Sequence, residues 1–199
     1  MTSFMQTTTL VTREEYFELL AKSDIKLEYH AGEIVAMAGA QPAHNLIAAN
    51  LLIELGYCLK KKGCFMYTSD QLVKVEKCDK YTFPDLVIVC QKPVYEKSSR
   101  GLDALENPEI IIEVLSDSTE RYDRLEKFDC YKTISSFREY VLISSKKKKI
   151  EIIKKLNESE WLSHTYISND EDVLIDDCLI LLEDIYRGTE LSDVDSPGF

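Results

Sequence analysis

Near its centre the chain reads Ile110-Ile111-Ile112-Glu113-Val114-Leu115, a run of aliphatic residues interrupted by a single carboxylate. An earlier stretch, Phe83-Pro84-Asp85-Leu86-Val87-Ile88-Val89, repeats the arrangement with an aspartate. A segment that is apolar at nearly every position predicts a central strand buried on both faces. Because an ionised carboxylate is costly to bury without a partner, we expect a cation beside Asp85 and Glu113, either a divalent metal ion with oxygen ligands or a lysine.

The segments around these runs predict an α/β fold, in which helices flank a mixed β-sheet and antiparallel strands extend its C-terminal end. Thr12 begins a capping box and a short amphipathic helix, and apolar periodicity predicts a long helix from residue 43 to 61. Strands are predicted at residues 26–30, 33–38, 65–75, 82–90, 109–115, 139–143, 150–155 and 161–167. A helix follows the strand at 109–115 and extends to about residue 133, residues 91–107 form a long connection, and residues 179–186 form a short closing element.

Length and composition are those of an ordinary globular protein. The 199 residues are 45% hydrophobic and 30% charged, which favours a single domain over residues 1–187 followed by a disordered acidic tail, 188–199. No apolar run approaches the roughly 20 residues that cross a bilayer. Met1 to Gln6 lack the basic and apolar regions of a secretory signal. These features argue against a membrane partner and predict a cytoplasmic protein.

The formal net charge of −11 is unevenly distributed and argues against a general nucleic-acid binder. Residues 169–199 hold ten acidic residues and a single arginine, so the rest of the chain is close to neutral. Two lysine clusters lie within that remainder, at residues 60–62 and 146–149. A solvated helix end and an exposed turn are the favoured interpretations of these clusters, and phosphate binding is the alternative.

The cysteines are scattered along the chain. They are Cys58, Cys64, Cys78, Cys90, Cys130 and Cys178. No two of them have the two-residue spacing of a zinc or thioredoxin-like motif, and no histidine cluster accompanies them. We therefore expect reduced thiols, the usual state in a cytosolic protein, with Cys90 and Cys130 acting as small core residues.

The two carboxylates suggest a chemistry if their strands are neighbours, because both side chains then reach one end of a sheet. Hydrolysis of a phosphodiester at neutral pH needs a metal that binds the phosphate oxygen and acidifies a water molecule. Carboxylates are the hard oxygen ligands that Mg²⁺ prefers, and a nearby lysine can orient the attacking water or stabilise charge at phosphorus.

Seven motifs follow one another between about residues 12 and 187. They are Leu27-Glu28-Tyr29-His30-Ala31-Gly32-Glu33-Ile34, Ala40-Gln41-Pro42-Ala43-His44-Asn45, Thr68-Ser69-Asp70, Phe83-Pro84-Asp85-Leu86, Ile112-Glu113-Val114-Leu115-Ser116, Tyr122-Asp123-Arg124-Leu125-Glu126-Lys127 and Arg138-Glu139-Tyr140-Val141-Leu142. In this order they resemble the PD-(D/E)XK nuclease superfamily, and more closely the Uma-two family of restriction-endonuclease-like proteins.

This resemblance implies a restriction-endonuclease-like fold and a Mg²⁺-dependent DNA endonuclease, with Mn²⁺ as an alternative ion. The site residues that it implies are Asp85, Glu113 and Val114 as metal ligands and Lys127, His44 and Glu28 as further catalytic residues. A homodimer is implied as well, because two sites related by a two-fold axis can cut both strands of a duplex.

One position departs from the superfamily pattern. Leu115 stands two residues after Glu113, where the motif has a lysine. In the resembling family the lysine comes from the following helix, which makes Lys127 the matching residue. The spacing agrees, because Asp123, Lys127 and Tyr131 recur every four residues and share one side of a helix.

Each of these residues also has a structural interpretation. Asp85 can cap a turn at a strand start, and Glu113 can pair with an arginine in a structural salt bridge. His44 can be a helix-end residue with a backbone partner, and Glu28 can belong to a surface pair of a hairpin. A non-catalytic nucleic-acid-binding or regulatory module on the same fold is the alternative function, favoured by Leu115 and by the acidic balance.

Overall fold

The computed structural model describes residues 10–98, 102–116, 120–167 and 171–191. The strands of this part, in chain order, are β1 (Leu27–His30), β2 (Glu33–Ala36), β3 (Phe65–Thr68), β4 (Val73–Val75), β5 (Lys80–Thr82), β6 (Leu86–Val89), β7 (Tyr95–Glu96), β8 (Ala104–Leu105), β9 (Ile110–Leu115), β10 (Glu139–Ser144), β11 (Ile150–Lys155), β12 (Trp161–Tyr166), β13 (Asp172–Ile175) and β14 (Cys178–Leu181). They form two six-stranded sheets and one hairpin. The α/β class is therefore as predicted, although the sequence predicted one sheet.

The central sheet has the order β12-β11-β10-β9-β6-β3. Strands β9 and β10 run parallel, and the other neighbours in this sheet are antiparallel. Every residue of β6 and β9 is buried. This burial confirms the prediction that both apolar runs are central strands.

The second sheet, which we call the N-terminal sheet, has the order β2-β1-β5-β4-β8-β7. Its hairpin β1–β2 turns through Ala31 and Gly32, both with positive φ (49° and 98°), as a two-residue turn matched to the strand twist requires. Helix α1 (Arg13–Leu20) begins with the predicted capping box at Thr12 and packs on this sheet through the buried ring of Tyr16.

Two longer helical segments cover the central sheet. Helix α2 (Pro42–Lys62) ends at Gly63, whose φ of 74° is left-handed. The segment that we call α3 is α-helical over Glu120–Tyr122, π-helical over Asp123–Lys127 and α-helical again over Phe128–Tyr131. A short last helix, α4 (Leu182–Ile185), follows β14.

The alternation of β9 decides where its carboxylate points. Ile110, Ile112 and Val114 belong to the core beneath α2, whereas Ile111 and Leu115 belong to the core that includes Tyr131 and Phe128 of α3. Because side chains of a strand alternate between faces, Glu113 projects toward α3.

The structure corrects several predicted boundaries. The predicted strand at residues 65–75 is divided into β3 and β4, and that at 82–90 into β5 and β6, so each contributes to both sheets. Pro84 lies at the second division, where it has no N–H to give to a strand ladder. The connection at 91–107 contains β7 and β8, and the closing element at 179–186 consists of most of β14 followed by α4.

The prediction of free thiols is wrong. All six cysteines are paired, as Cys58–Cys178, Cys64–Cys90 and Cys78–Cys130. The pairs are separated by 120, 26 and 52 residues, so a search for local spacing has no means of finding them. Each of Cys90 and Cys130 therefore belongs to a different disulfide, and neither is an isolated core thiol. Since disulfides persist mainly in oxidising compartments, the pairing also removes one argument for the cytoplasm.

Other predictions concern the ends of the chain. Residues 188–191 are described, and Leu191 packs against the core beneath α2. The N-terminal segment up to residue 9 and the tail from residue 192 lie outside the described residues. The single domain over 1–187 and the disordered tail stay predictions. None of the described helices has both the length and the apolar character needed to cross a membrane.

Candidate active site

Asp85 lies where the chain passes from the N-terminal sheet to the central one. The pairing of Leu86 with Ile112 brings the residue before β6 opposite Glu113 on β9. The backbone N–H of Val114 donates to Asp85 Oδ2 at 2.7 Å, and His44 Nε2 lies 3.1 Å from the same oxygen. The structure thus brings together Asp85, Val114 and His44, three of the residues that the resemblance implies.

Glu113 is buried and bound to α3. The ammonium of Lys127 donates to Glu113 Oε1 at 3.1 Å, and the hydroxyl of Tyr131 donates to it at 3.3 Å. Asp123 Oδ1 lies 3.0 Å from the same ammonium, which agrees with the predicted common side of the helix. Only 7% of the Lys127 side chain is exposed, so the cation beside Glu113 is a lysine held inside the protein.

The π-helical turn of α3 begins at Asp123 and ends at Lys127. Lys127 carries the buried ammonium, and Asp123 binds it. Single π-turns are rare and frequently lie at functional sites. The hydroxyl of Tyr140 on β10 donates to the carbonyl of Asp123 at 3.0 Å. This contact ties the turn to the central sheet and holds the lysine over β9.

Glu28 reaches the same region from the N-terminal sheet and is 4% exposed. Its Oε1 accepts the backbone N–H of Phe83 at 2.8 Å, two residues before Asp85. Its Oε2 lies 3.1 Å from His30 Nε2. The structural alternative for Glu28, a surface pair of a hairpin, does not fit this burial.

Three residues near Glu28 had no role in the sequence analysis. The hydroxyl of Tyr122 lies 3.3 Å from His30 Nε2 and accepts a hydrogen bond of 3.1 Å from Lys80 Nζ. The rings of His30 and Tyr122 are stacked with centroids 5.5 Å apart. His30 and Tyr122 lie inside two of the motifs quoted above, and that position was the sign in the sequence that they belong near the site. Asp70 also lies in one of these motifs, but it is exposed and paired with Lys26.

The charges of the site do not balance. The charges of Glu28, Asp85 and Asp123 act on Glu113, and Lys127 is the buried cation that acts on both Glu113 and Glu28. Burial, together with the charges of the other three carboxylates, raises the pKa of Glu113 well above its ordinary value despite the opposing charge of Lys127. Burial alone lowers the pKa of Lys127, but the charge of Glu113 and its neighbours raises it well above the ordinary lysine value.

Glu28 behaves differently from Glu113. Burial alone raises its pKa, but the hydrogen bond from His30 and the charge of Lys127 bring the pKa below its ordinary value. Glu28 is therefore held as a carboxylate. A carboxylate surplus of this kind favours a further cation at the site.

Two carboxylate oxygens of the site are open to a further ligand. Both hydrogen-bond partners of Asp85 contact its Oδ2, and both hydrogen-bond partners of Glu113 contact its Oε1. Within the described residues, Asp85 Oδ1 and Glu113 Oε2 have no hydrogen-bond donor. Two open carboxylate oxygens from adjacent strands form the start of an oxygen-ligand set of the type that Mg²⁺ takes.

A second ionic cluster lies at the opposite end of the central sheet. Asp176 pairs with Lys62 and Arg138, and Glu139 at the start of β10 is buried nearby. The sulfurs of Cys64 and Cys90 lie within 4.8 Å of an Asp176 oxygen, but the disulfide between them leaves no thiolate for a metal. This cluster joins the C-terminal hairpin to the sheet.

Comparison with known proteins identifies the family of the chain. The family model Uma2, described as "Putative restriction endonuclease", matches residues 13–184. The chain belongs to this family. The Uma2 match spans all the residues of the site, from Glu28 to Lys127.

Two curated relatives extend the comparison, and both come from Synechocystis sp. strain PCC 6803. The uncharacterized protein sll1609 is 31% identical over 78% of this chain and 87% of its own length. The uncharacterized protein slr1290 is 32% identical over 88% of this chain and 90% of its own length.

A solved structure shows the same fold. The crystal structure of "a putative nuclease belonging to DUF820" from Anabaena variabilis superposes with a TM-score of 0.70. It covers 88% of this chain and 97% of its own, at 16% identity. Likeness at that identity concerns the fold alone, and it confirms the restriction-endonuclease-like architecture predicted for this Uma2 protein.

Proposed function

We propose that the chain is a Mg²⁺-dependent endonuclease that hydrolyses phosphodiester bonds in DNA, with Mn²⁺ as an alternative ion. The observation that carries the proposal is a buried ammonium held by two carboxylates, Glu113 and Asp123. The charges of two more carboxylates, Asp85 and Glu28, also act on Glu113, at the junction of two sheets and a helix. A purely structural ion pair needs one partner for each charge. The carboxylate surplus and the open oxygens of Asp85 and Glu113 instead suit a divalent cation.

The ligands in this proposal are Asp85 Oδ1, Glu113 Oε2 and the backbone carbonyl of Val114. Magnesium bound there supplies an electrophile for the phosphate oxygen and a water of lowered pKa. The hydrogen bond from the Val114 N–H fixes the Asp85 carboxylate against β9. That contact keeps Asp85 beside Val114, so that two of the proposed ligands lie together.

In this proposal the ammonium of Lys127 is a hydrogen-bond donor next to the reacting phosphate. Asp123 and Glu113 keep its ammonium charged and oriented. A charged donor fixed in a water-poor site stabilises negative charge that develops on phosphorus oxygens far better than a solvated one. Lys127 therefore takes the role of the lysine that Leu115 replaces in the superfamily motif.

His44 and Glu28 support the site from either side. An ionised Asp85 requires the proton of His44 on Nε2, which leaves Nδ1 as an acceptor in the neutral ring. That Nδ1 is buried and has no partner among the described residues. Glu28 fixes the backbone of Phe83, and through it the approach of Asp85.

A homodimer and a cytoplasmic location belong to the same proposal. Cutting both strands of a duplex is simplest with two sites related by a two-fold axis. Sedimentation equilibrium across the concentrations used for cleavage tests the dimer, and a monomer throughout contradicts it. Thiol quantification on protein extracted under alkylating conditions tests the location: reduced cysteines support the cytoplasm, whereas the three disulfides of the structure, if found in the extracted protein, contradict it.

The main experiment is cleavage of supercoiled plasmid with Mg²⁺ or Mn²⁺. We expect the wild-type protein to nick or linearise the plasmid, and Asp85→Asn and Glu113→Gln to lose at least about a hundredfold in rate, in line with the loss of a metal ligand. Glu139→Gln is the matched control, because Glu139 is equally buried on the neighbouring strand β10 but lies at the other end of the sheet. It should retain cleavage.

Titration calorimetry with Mn²⁺ separates the enzyme from the non-catalytic alternative. We expect one binding event in the wild-type protein that disappears in Asp85→Asn and persists in Glu139→Gln. Cleavage that survives both site variants, or the absence of metal binding at millimolar concentrations, contradicts the proposal.

A further inference from the structure

The lysine run at residues 146–149 lies in a turn next to the candidate site. It joins β10 to β11, and Ser144 at the end of β10 is paired with Leu115 at the end of β9. Leu115 is two residues from Glu113 along the same strand. The turn therefore lies at the sheet end that carries the site, beyond the end of the neighbouring strand β10, whose axis is about 5 Å from that of β9.

A cavity of about 300 Å³ lies between this turn and the start of α3. Its floor is formed by Leu115, Ser116 and Ser144, and its walls carry Lys146, Lys147 and Lys149. The remaining lining residues are Arg124 and Glu120. Four cations and one acid thus line a single cavity, in a chain whose net charge is −11.

The arginine is held in ion pairs, whereas two of the described lysines are not. Arg124 pairs with Glu120 and Glu151. Within the described residues, neither Lys147 nor Lys149 has an acidic partner at ion-pair distance. The positive charge that remains for a ligand therefore belongs to the lysine turn.

The turn is held in place by buried groups. Ser145 is 7% exposed, and its hydroxyl donates to the carbonyl of Leu115 at 2.6 Å. The hydroxyl of Tyr186 accepts the N–H of Lys149 at 3.0 Å and lies 2.8 Å from the carbonyl of the same residue. The lysines thus project from a fixed backbone, which lowers the entropy cost of binding.

We infer that this cavity is a second phosphate subsite, which binds a backbone phosphate of the DNA strand beside the phosphate held at Asp85 and Glu113. The inference rests on the proposed function. Phosphates of one strand follow each other every 3.4 Å or so along a duplex axis, so a strand seated at Glu113 passes its neighbouring phosphates along the ends of β9 and β10. Lys147 and Lys149 neutralise such a phosphate without reading the base sequence.

The test is fluorescence anisotropy of a labelled duplex oligonucleotide, with Ca²⁺ in place of Mg²⁺ so that binding is measured apart from cleavage. We expect Lys147→Ala/Lys149→Ala to weaken binding about tenfold. The slope of log affinity against log salt should fall by about one, because the two lysines together neutralise one phosphate and each neutralised phosphate contributes roughly one to the slope. Lys147→Arg/Lys149→Arg should retain affinity, because the charge is kept.

The matched control is Lys60→Ala/Lys61→Ala, which removes the same charge from exposed residues at the end of α2. Lys62, the next residue, binds Asp176 at the opposite end of the central sheet. A six-residue strand is roughly 20 Å long, so the control lies far from the cavity. It should leave both affinity and salt slope unchanged.

The outcomes separate this inference from the proposed function. Equal losses in the test and control variants, no loss in the test variant, or no duplex binding by the wild-type protein overturns the subsite. Displacement of the duplex by millimolar inorganic phosphate from the wild-type protein but not from the alanine variant supports it, and binding of inorganic phosphate without duplex overturns the assignment to a DNA strand. A wild-type protein that binds duplex through these lysines but never cleaves it contradicts only the proposed function.

Discussion

Replacing Lys127 by methionine should destabilise the protein more than any other single change at the site. Methionine keeps much of the side-chain volume and removes the charge, so packing alone predicts a small effect. The ammonium lies 3.1 Å from Glu113 and 3.0 Å from Asp123. At an effective dielectric constant of about 20, two unit charges at that distance attract by about 5 kcal/mol.

The net loss is smaller than the sum of both attractions, because the lysine no longer has to be desolvated. Removal of one partner from a buried pair generally costs about 3–5 kcal/mol, since the remaining charge stays buried. We therefore expect the free energy of unfolding to fall by about 3–5 kcal/mol, out of a typical total of about 5–15 kcal/mol.

Urea unfolding followed by circular dichroism near neutral pH measures this loss. A double-mutant cycle with Glu113→Gln isolates its origin. The pair Lys127→Met/Glu113→Gln removes both charges, so it should regain about 1–3 kcal/mol over Lys127→Met alone. A loss below about 1 kcal/mol in the single variant, or a double variant no more stable than Lys127→Met, refutes the view that Lys127 is stabilised mainly by buried charge.

Three further predictions concern the scaffold. Burial raises the pKa of Asp176, but the hydrogen bonds from Lys62 and Arg138 outweigh this effect and lower it. The stability that the ionised carboxylate contributes is therefore present at neutral pH and is lost as the pH falls below about 3.8. The left-handed backbone of Asp176 (φ 47°) is also tolerated by asparagine, so Asp176→Asn should cost about 1–2 kcal/mol at pH 7 and less as the pH falls below about 3.8, as measured by urea unfolding at each pH; a cost that does not fall with pH contradicts this. Gly32→Ala should cost about 1–3 kcal/mol in thermal unfolding, because its φ is 98° and a new Cβ lies 2.9 Å from the side chain of Leu10, whereas Gly39→Ala, whose Cβ meets no atom within 4 Å, serves as a control with little change. Cys58→Ser/Cys178→Ser opens a link between residues 120 apart and should lower the free energy of unfolding by about 3–5 kcal/mol; an unchanged urea midpoint argues that this bond is absent in solution.

The core of the candidate site was predictable because it depends on local patterns. The two apolar runs predicted buried strands, and burial of a carboxylate predicted a cation. The four-residue spacing of Asp123, Lys127 and Tyr131 predicted a common helix side, and the contacts of all three around Glu113 and the ammonium agree with it. Such inferences need only the periods of strand and helix.

Other parts of the site depended on partners that the sequence does not name. Glu28 lies in a mostly apolar hairpin strand for which a surface pair remained an alternative, and its burial accompanies the pairing of β1 with β5 and the hydrogen bond from the N–H of Phe83. His30 and Tyr122 are 92 residues apart, and no local period links them. Long-range pairing decides these contacts, and burial follows from the pairing.

For this protein, the sequence by itself determined which segments are buried strands, where the helices begin and end, and which carboxylates need a cation. Periodicity and the cost of buried charge are local properties, so they can be read from the residues alone. The tertiary structure decided that two predicted strands are each divided between two sheets, that six cysteines meet in pairs, and that a lysine turn lies beside Glu113. Each of these depends on which distant segments come into contact, and that choice is made by the packing of the whole chain.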